Sequence, residues 1–339
     1  MKFSILIPVY NVKSYIKECI YSVYNQNFTD YEVVIIDDGS TDGSGKICDE
    51  LANDVTRVIH KENEGLLKAR RDAIKLARGE YCLFLDSDDK LEDNALDVIN
   101  DEIIDSSFDL LIYNLFNWDY LNERCVVRKP IFQNQREFIS ENDFMELRKE
   151  LLLTNNLNNM VIKAVKTSII QNDVSEYDKY TDWGEDFIQT LYLFDRCKKI
   201  KYIDIPLYYY RTNPNSITNS YKNFSAINRS INKNIEEITF EYLYKWGLNT
   251  PENFEIICTR RLDFLRTVFL NNYLKILSKK ERKAYVSEKW SSLIHENNYK
   301  YLSSKKINMI NRIEIKAIIN SRFMVLELYR LIRIILHRY

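Results

Sequence analysis

The sequence predicts an α/β protein: an open sheet flanked by helices, followed by a helical C-terminal region. Two observations carry that prediction. Through residues 3 to 85, short β-branched runs alternate with segments of helical periodicity, the pattern of strands joined by right-handed helical crossovers. Beyond about residue 220 the apolar spacing is almost wholly helical.

Each element can be justified in order. "FSILIPV" (3–9) and "EVVIID" (32–37) are apolar and β-branched throughout, as suits strands buried on both faces. Between them Val12, Tyr15, Ile16, Cys19, Ile20, Val23 and Tyr24 recur at helical spacing, with Lys13, Ser14, Lys17 and Glu18 opposite. Asp42 reads as the cap of a helix running to about residue 53, and "TRVIH" (56–60) as a strand. "LLKARRDAIKLA" (66–77) reads as a helix ended by Gly79, and "YCLFL" (81–85) as a strand. Helical spacing returns at 92–104 and 140–153, around a strand at "DLLIYNLF" (109–116). The prolines and polar residues of "PLYYYRTNPNSIT" (206–218) mark a turn or exit loop, dividing the chain into domains 1–219 and 220–339. The last helix sets Val325, Leu328, Tyr329, Ile332, Ile335 and Leu336 on one side, with Glu327, Arg330 and His337 on another. Packing against neighbouring helices is the expectation, and attachment to a membrane surface the alternative.

Composition excludes several classes. A hydrophobic fraction of 45% and an aromatic fraction of 13% supply a core, so this is no disordered chain. The six cysteines form no CxxC pair and the three histidines lie far apart, which argues against a disulfide framework or a zinc site and suits the cytoplasm. The N-terminus has neither the apolar length nor the cleavage site of a signal peptide, and no run is long enough to span a bilayer. Net charge is −1, but residues 300–339 carry nine Lys or Arg against Glu314 and Glu327. That basic segment fits an anionic membrane surface at the inner face of the cell, a homodimer contact or simple packing; no motif accompanies it that would suggest nucleic acid.

An open α/β sheet binds ligands in the crevice beyond the carboxyl ends of its strands. Three suggestive stretches fall there: "PVYN" (8–11), "DDGSTD" (37–42) and "DSDD" (86–89). "GSGK" (43–46) lacks the glycine and hydroxyl of a phosphate loop, and "DGSTDG" (38–43) lacks the Glu and flanking helix of a calcium loop. "DSDD" is stronger. On an extended segment Asp86 and Asp88 share a face while Ser87 points away, and two carboxylates beside substrate phosphates suit Mg²⁺ or Mn²⁺. Capping of the next helix would explain one of the three acids.

Taken together, "IPVYN", "IIDDGSTDGS", "NEGLLKARRDAI", "GEYCLFLDSDD" and "GEDF" resemble, in order, the signature of glycosyltransferase family 2, the inverting, nucleotide-sugar-dependent enzymes of GT-A (Rossmann-like) fold. The resemblance covers roughly residues 1 to 215. It implies that Pro8, Val9 and Tyr10 border the nucleobase and that Asp38, with Asp37, accepts from a base that is usually uracil. Asn63 and Arg70 match the family's N-x-G-x-x-x-A-R, the arginine facing the diphosphate or the acidic loop; Arg71 stands where the family commonly has Asn. Asp86 is implied at the ribose or metal, Ser87 at the nucleotide-sugar and Asp88 on the metal. Asp186 is implied as the base that deprotonates the acceptor, with Glu185 orienting it or binding sugar, Gly184 permitting close approach, and Trp183 contacting a sugar ring. Arg211, in "PLYYYR", would approach the diphosphate.

The expected function is therefore transfer of a sugar from a UDP-sugar to a saccharide acceptor, lipid-linked in surface polysaccharide synthesis, with a divalent metal. A sugar-nucleotide nucleotidyltransferase is the alternative, though "PVYNVKSY" lacks the glycine-rich basic loop expected there. A binding protein whose catalysis has decayed is a third reading, against which all the expected carboxylates stand.

Overall fold

The computed structural model describes residues 1–104, 108–154, 156–173, 184–212, 233–288, 290 and 296–336. These fall into two compact units, Met1–Tyr177 with Glu185–Pro214, and Asp178–Gly184 with Asn215–Tyr339.

The first unit opens with β1 (Phe3–Val9), α1 (Ile16–Tyr24), β2 (Tyr31–Asp37), α2 (Ser44–Leu51), β3 (Thr56–His60), α3 (Leu66–Leu76) and β4 (Tyr81–Phe84). It continues through β5 (Lys90–Leu91), α4 (Ala95–Ile104), β6 (Leu110–Asp119), β7 (Arg124–Val127), β8 (Arg136–Phe138) and α5 (Glu141–Leu153). It ends with β9 (Lys163–Lys166), α6 (Thr167–Ile170), α7 (Glu185–Arg196) and β10 (Ile200–Arg211). One mixed sheet holds the strands in the order β3-β2-β1-β4-β9-β6-β10-β5, with β7 paired to β6 and β8 to β10. β1 and β2 are buried along their whole length, which is why they read as unbroken apolar runs.

Strand direction places the site. β1, β2, β3 and β4 are parallel, β9 runs against both β4 and β6, and β10 is parallel to β6. Two reversals restore the original direction, so β1, β2, β4, β6 and β10 all end at one edge of the sheet. Val9, Asp37, Trp118 and Arg211 lie at that edge, and the acidic loop leaves β4 there.

Three expectations need correction. Residues 206–211 are no exit loop: they finish β10, with Leu207 and Tyr208 buried, and Pro206 is tolerated because the β6 register shifts on either side of it; residues 213–218 lie outside the described residues. The first helix begins at Ile16 instead of near Val12, because Asn11 adopts a left-handed φ of 52° and the amides of Val12 and Lys13 bond Ser44 Oγ and Asp42 Oδ2. α3 ends at Leu76, before Gly79; glycine is required at 79 because a Cβ there would lie 2.5 Å from the Phe3 carbonyl carbon.

The second unit contains α8 (Lys233–Lys245), α9 (Pro251–Lys275), α10 (Lys279–Ser287), α11 (Glu296–Tyr299), α12 (Met309–Ile319) and α13 (Phe323–Leu336). Thr250, Ser278 and Asn308 cap α9, α10 and α12. Its core gathers Leu265, Phe269, Tyr273, Tyr285, Trp290, Ile315, Ile318 and Leu326, with Trp290 Nε1 donating to the Tyr285 carbonyl at 2.7 Å. The apolar side expected to pack α13 does not do so at Val325, Leu328 and Ile332, which are exposed. Glu327 sets the helix rotation instead: Arg282 Nε at 2.6 Å and Tyr273 Oη at 2.5 Å hold its carboxylate inward beside Leu326. The side chains of Ile335 and Leu336 and the whole of His337 lie outside the described residues.

Candidate active site

At the carboxyl edge, two loops are stitched together before any ligand arrives. Asn11 N donates to Ser40 Oγ at 3.1 Å, and Thr41 N donates back to Asn11 Oδ1 at 2.8 Å, so "PVYN" and "DDGSTD" form one surface. Pro8 and Val9 are buried in β1, whereas Tyr10 is 50% exposed. Asp37 is buried, accepting from Ser40 N at 3.1 Å and hydrogen-bonded to His60 Nδ1 at 2.8 Å. Asp38 is buried too; its two oxygens accept from the amides of Glu64 and Gly65 at 2.9 and 2.8 Å, and Asn63 Nδ2 donates to its carbonyl. Asp38 thus fixes the start of α3, a structural role that the sequence pattern does not announce.

Arg70 is the hub. It lies on the buried face of α3 with its side chain 1% exposed, donates from Nη2 to Asp86 Oδ1 at 2.8 Å and from Nη1 to Asp186 Oδ1, and has Glu185 Oε1 4.0 Å away. Three acids from two distant stretches of sequence meet at this guanidinium. Burial opposes its charge, but Asp186, Asp86 and Glu185 outweigh that and hold its pKa above the usual arginine value. Through Asp86 the Arg70 side chain engages the acidic loop.

The carboxylates respond to this crowding. Burial, then the neighbouring Asp186 charge, push Glu185 up to about 7, with Arg70 opposing. Asp86 is also raised, chiefly by burial, with Asp186 and Asp88 adding to it and Arg70 subtracting. Solvent still reaches about a quarter of both Asp86 and Asp186, at 27% and 25% side-chain exposure, so both can meet a ligand.

Asp89 and Arg211 hold the acidic loop from behind. Asp89, 2% exposed, accepts from Tyr208 Oη and from Arg211 N, each at 2.7 Å, and Tyr208 Oη also accepts from Asp86 N at 3.2 Å. The Arg211 side chain donates to the Asp88 carbonyl and to Glu18 Oε2, both at 2.6 Å, so it is a brace of the loop. Ser87 is buried. Gly184 takes a positive φ of 93° at the start of α7, while Trp183 lies outside the described residues.

Lys163, on β9, escaped the sequence reading. It is fully buried, donates to the carbonyls of Leu157 and Asn159, and is pushed down to about 7 by burial. An isolated lysine in a short strand gives no periodic signal, so only the fold discloses it.

The donor set suits a hard divalent cation that takes one or two protein carboxylates and completes its shell with substrate oxygens. Arg70 engages Asp86 at Oδ1, leaving Oδ2, and Asp88 lies two residues on. Among the described residues no three His, Cys, Asp or Glu side chains form a complete metal cage.

The mixed sheet, the stitched loops and the arginine-centred acid cluster make up an α/β domain of GT-A type. Residues 4–160 match the sequence model of glycosyl transferase family 2. Glycosyltransferase GlyG of Streptococcus pneumoniae is 35% identical over 34% of this chain and 40% of its own length. The uncharacterized glycosyltransferase EpsJ of Bacillus subtilis is 32% identical over 63% of this chain and 62% of its own length. A poly(ribitol-phosphate) beta-glucosyltransferase of Bacillus spizizenii is 46% identical over 28% of this chain and 16% of its own. The chain thus spans less than two thirds of the length of these relatives. Residues 1–349 of S. aureus TarS, solved in complex with UDP-GlcNAc, share the fold at a TM-score of 0.61 and 22% identity, over 97% of this chain and 92% of that one.

Proposed function

We propose that the protein is an inverting glycosyltransferase that moves a sugar from a UDP-sugar to a saccharide acceptor. The observation that carries this reading is the joint hold of Arg70 on Asp86 and Asp186, which puts an acid of the metal-type loop and a candidate base in one crevice. Arg70 occupies one oxygen of Asp186 and leaves the other for an acceptor hydroxyl. That oxygen takes the hydroxyl proton as the acceptor oxygen bonds to the anomeric carbon; the bond from that carbon to the donor phosphate breaks, and UDP leaves. A single displacement inverts the anomeric centre. Asp86 and Asp88 would hold Mg²⁺ or Mn²⁺, which when bound neutralises charge on the leaving diphosphate. The UDP-GlcNAc complex of TarS supports the choice of nucleotide.

The acceptor is proposed to be a growing surface saccharide, and a lipid-linked one is consistent with the surface of α12 and α13. Met309, Ile310 and Ile313 on α12 and Met324, Leu328, Leu331 and Ile332 on α13 are exposed, with basic residues around them, and we place this face on the inner membrane surface. A homodimer through the same face is the competing use. No described helix is long and apolar enough to cross a membrane.

The test is a panel of nucleotide sugars with Mn²⁺, read by nucleoside diphosphate release and by the product glycan. Release from a UDP-sugar that disappears in Asp88→Asn and Asp186→Asn supports the reading. Turnover that is equal in all three proteins removes the site assignment, and sugar-nucleotide synthesis from a sugar phosphate would move the protein to the nucleotidyltransferases.

A further inference from the structure

A cleft of about 440 Å³ opens at the tip of the β6–β7 hairpin, lined by Trp118, Tyr120, Leu121 and Glu123. Tyr120 is 49% exposed and Leu121 68%, so a flat apolar surface lies open to solvent beside a carboxylate. That pairing matches the two faces of a sugar ring: an apolar C–H face for the aromatic, and hydroxyls for the acid.

The platform is held rigidly, by the same residue that braces the acidic loop. The Arg211 guanidinium lies 4.1 Å from the centre of the Trp118 ring and 4.7 Å from Tyr120, while Lys90 Nζ, one residue beyond the DSDD loop, is 4.5 Å from Trp118. Trp118 and Tyr120 meet edge to face at 5.6 Å, and Trp118 is the register partner of Arg211 across β6 and β10. Arg211 Nη1 is buried without a hydrogen-bond partner. Cation–π and edge contacts thus fix both rings before a ligand binds, which reduces the entropy lost on binding.

Position along the sheet identifies the ligand. The edge runs from the base-side loops at β1 and β2, past the acids after β4, to the hairpin that leaves β6. β6 stands two strands beyond β4, about 10 Å at the spacing of neighbouring strands. On the glycosyltransferase reading, nucleoside, diphosphate, transferred sugar and acceptor would follow one another in this direction.

We propose that this cleft is a remote subsite for the acceptor saccharide: it grips a sugar ring behind the one that reacts, so it requires an acceptor of at least two rings. Its placement as an acceptor subsite rests on the glycosyltransferase reading; its affinity for sugar does not. The test is saturation-transfer NMR on the full chain with millimolar glucose, galactose and N-acetylglucosamine and their linear oligomers of two to four rings, beside calorimetry with UDP. Wild type should hold oligomers more tightly than the single sugars. Tyr120→Ala should lose about ten-fold, the scale of one aromatic contact, and Tyr120→Phe should keep most of the binding. UDP affinity should stay within about two-fold in both variants, well below the change expected for one lost contact. The proposal is overturned by no contact with any of these saccharides, by equal binding in Tyr120→Ala, or by loss of UDP and saccharide together. Saccharide bound without UDP would instead defeat the transferase reading and leave the cleft standing.

Discussion

The Arg70 guanidinium donates to the Asp86 carboxylate at 2.8 Å, and its other terminal nitrogen serves Asp186, 116 residues away in sequence. A buried cation that neutralises several acids leaves them uncompensated when it is removed. Arg70→Met should therefore cost about 3–5 kcal/mol in urea unfolding, the range for breaking a buried ion pair. Arg70→Lys keeps the charge but loses the two-pronged geometry, and should fall between the two. Stability in Arg70→Met equal to wild type would show that the acids relax into solvent without it.

Asp186 and Glu185 are adjacent yet placed for different work. Asp186 bonds Arg70 directly, whereas Glu185, 4.0 Å from it, is the one raised to about 7 by burial and by its neighbour. With Asp186 as the base, Asp186→Asn should lower turnover by about 10²–10⁴-fold, the usual contribution of general base catalysis. Glu185→Gln should lose less than about ten-fold and remove an acid-side limb near pH 7 from the pH profile, since Glu185 is ionised only above its raised value. The reverse ranking of the two variants would transfer the base role to Glu185.

Half of the ten strands, β1 to β4 and β6, and the carboxyl-edge loops are readable in the residues, because β1 and β2 are apolar runs and the helices between the strands carry a 3.6-residue period. β10 was hidden by Pro206, which a register shift absorbs, and β5 and β9 are too short, at 2 and 4 residues, to give a pattern. In the site, the acids were visible as a cluster but their partners were not. That Asp38 would hold the Glu64 and Gly65 amides, or that Arg211 would brace the Asp88 carbonyl, depends on contacts 26 and 123 residues apart. The exposed stripe of α13 misled for a third reason: a period shows which side of a helix is apolar, while the Glu327–Arg282 pair decides which side faces the core.

His60 joins two carboxylates, with Nδ1 2.8 Å from Asp37 Oδ2 and Nε2 3.0 Å from Asp49 Oδ1. Both nitrogens can donate only when the ring is protonated, and these hydrogen bonds, Asp37 first, raise its pKa. A folded value above the unfolded one gives stabilisation that is complete below about pH 6.5 and fades as pH rises through the folded value. With 48% of the side chain exposed, the effect should not exceed about 1 kcal/mol. Urea unfolding of wild type and His60→Gln should show their gap at pH 6 shrinking by pH 9; a gap that widens contradicts the protonated bridge.

Gly79 tests the packing beneath β1. A Cβ at this position would stand 2.5 Å from the Phe3 carbonyl carbon and 2.6 Å from Ser4 N, and backbone cannot swing away as a side-chain tip can. Gly79 N also donates to the buried Ser4 hydroxyl at 2.8 Å. Gly79→Ala should destabilise the first unit by about 1–3 kcal/mol, the usual range for overpacking. The exposed Gly247, at a positive φ of 67° but with nothing within 4 Å of its Cβ position, separates strain from collision: Gly247→Ala should lose less.

The C-terminal face makes the sharpest claim about location, because its charges are sorted. Glu314 and Glu327, the two acids of residues 300–339, are turned into the second unit and pinned by Arg266 at 3.0 Å and Arg282 at 2.6 Å. Lys305, Lys316, Arg322 and Arg333 are exposed around an apolar stripe that includes Ile310, Leu328 and Ile332. Two copies meeting through this face would bring like charges together, whereas an anionic bilayer would meet cations with headgroups and the stripe with acyl chains. Each basic residue near such a surface contributes about 1 kcal/mol, screened as salt rises. Full-length protein should co-sediment with phosphatidylglycerol-containing vesicles at low ionic strength and ignore pure phosphatidylcholine. Lys316→Glu with Arg322→Glu should abolish the preference, and Leu328→Ser should weaken binding at every salt concentration. If wild type ignores the vesicles and forms a dimer that Leu328→Ser breaks, the face belongs to a second copy of the chain.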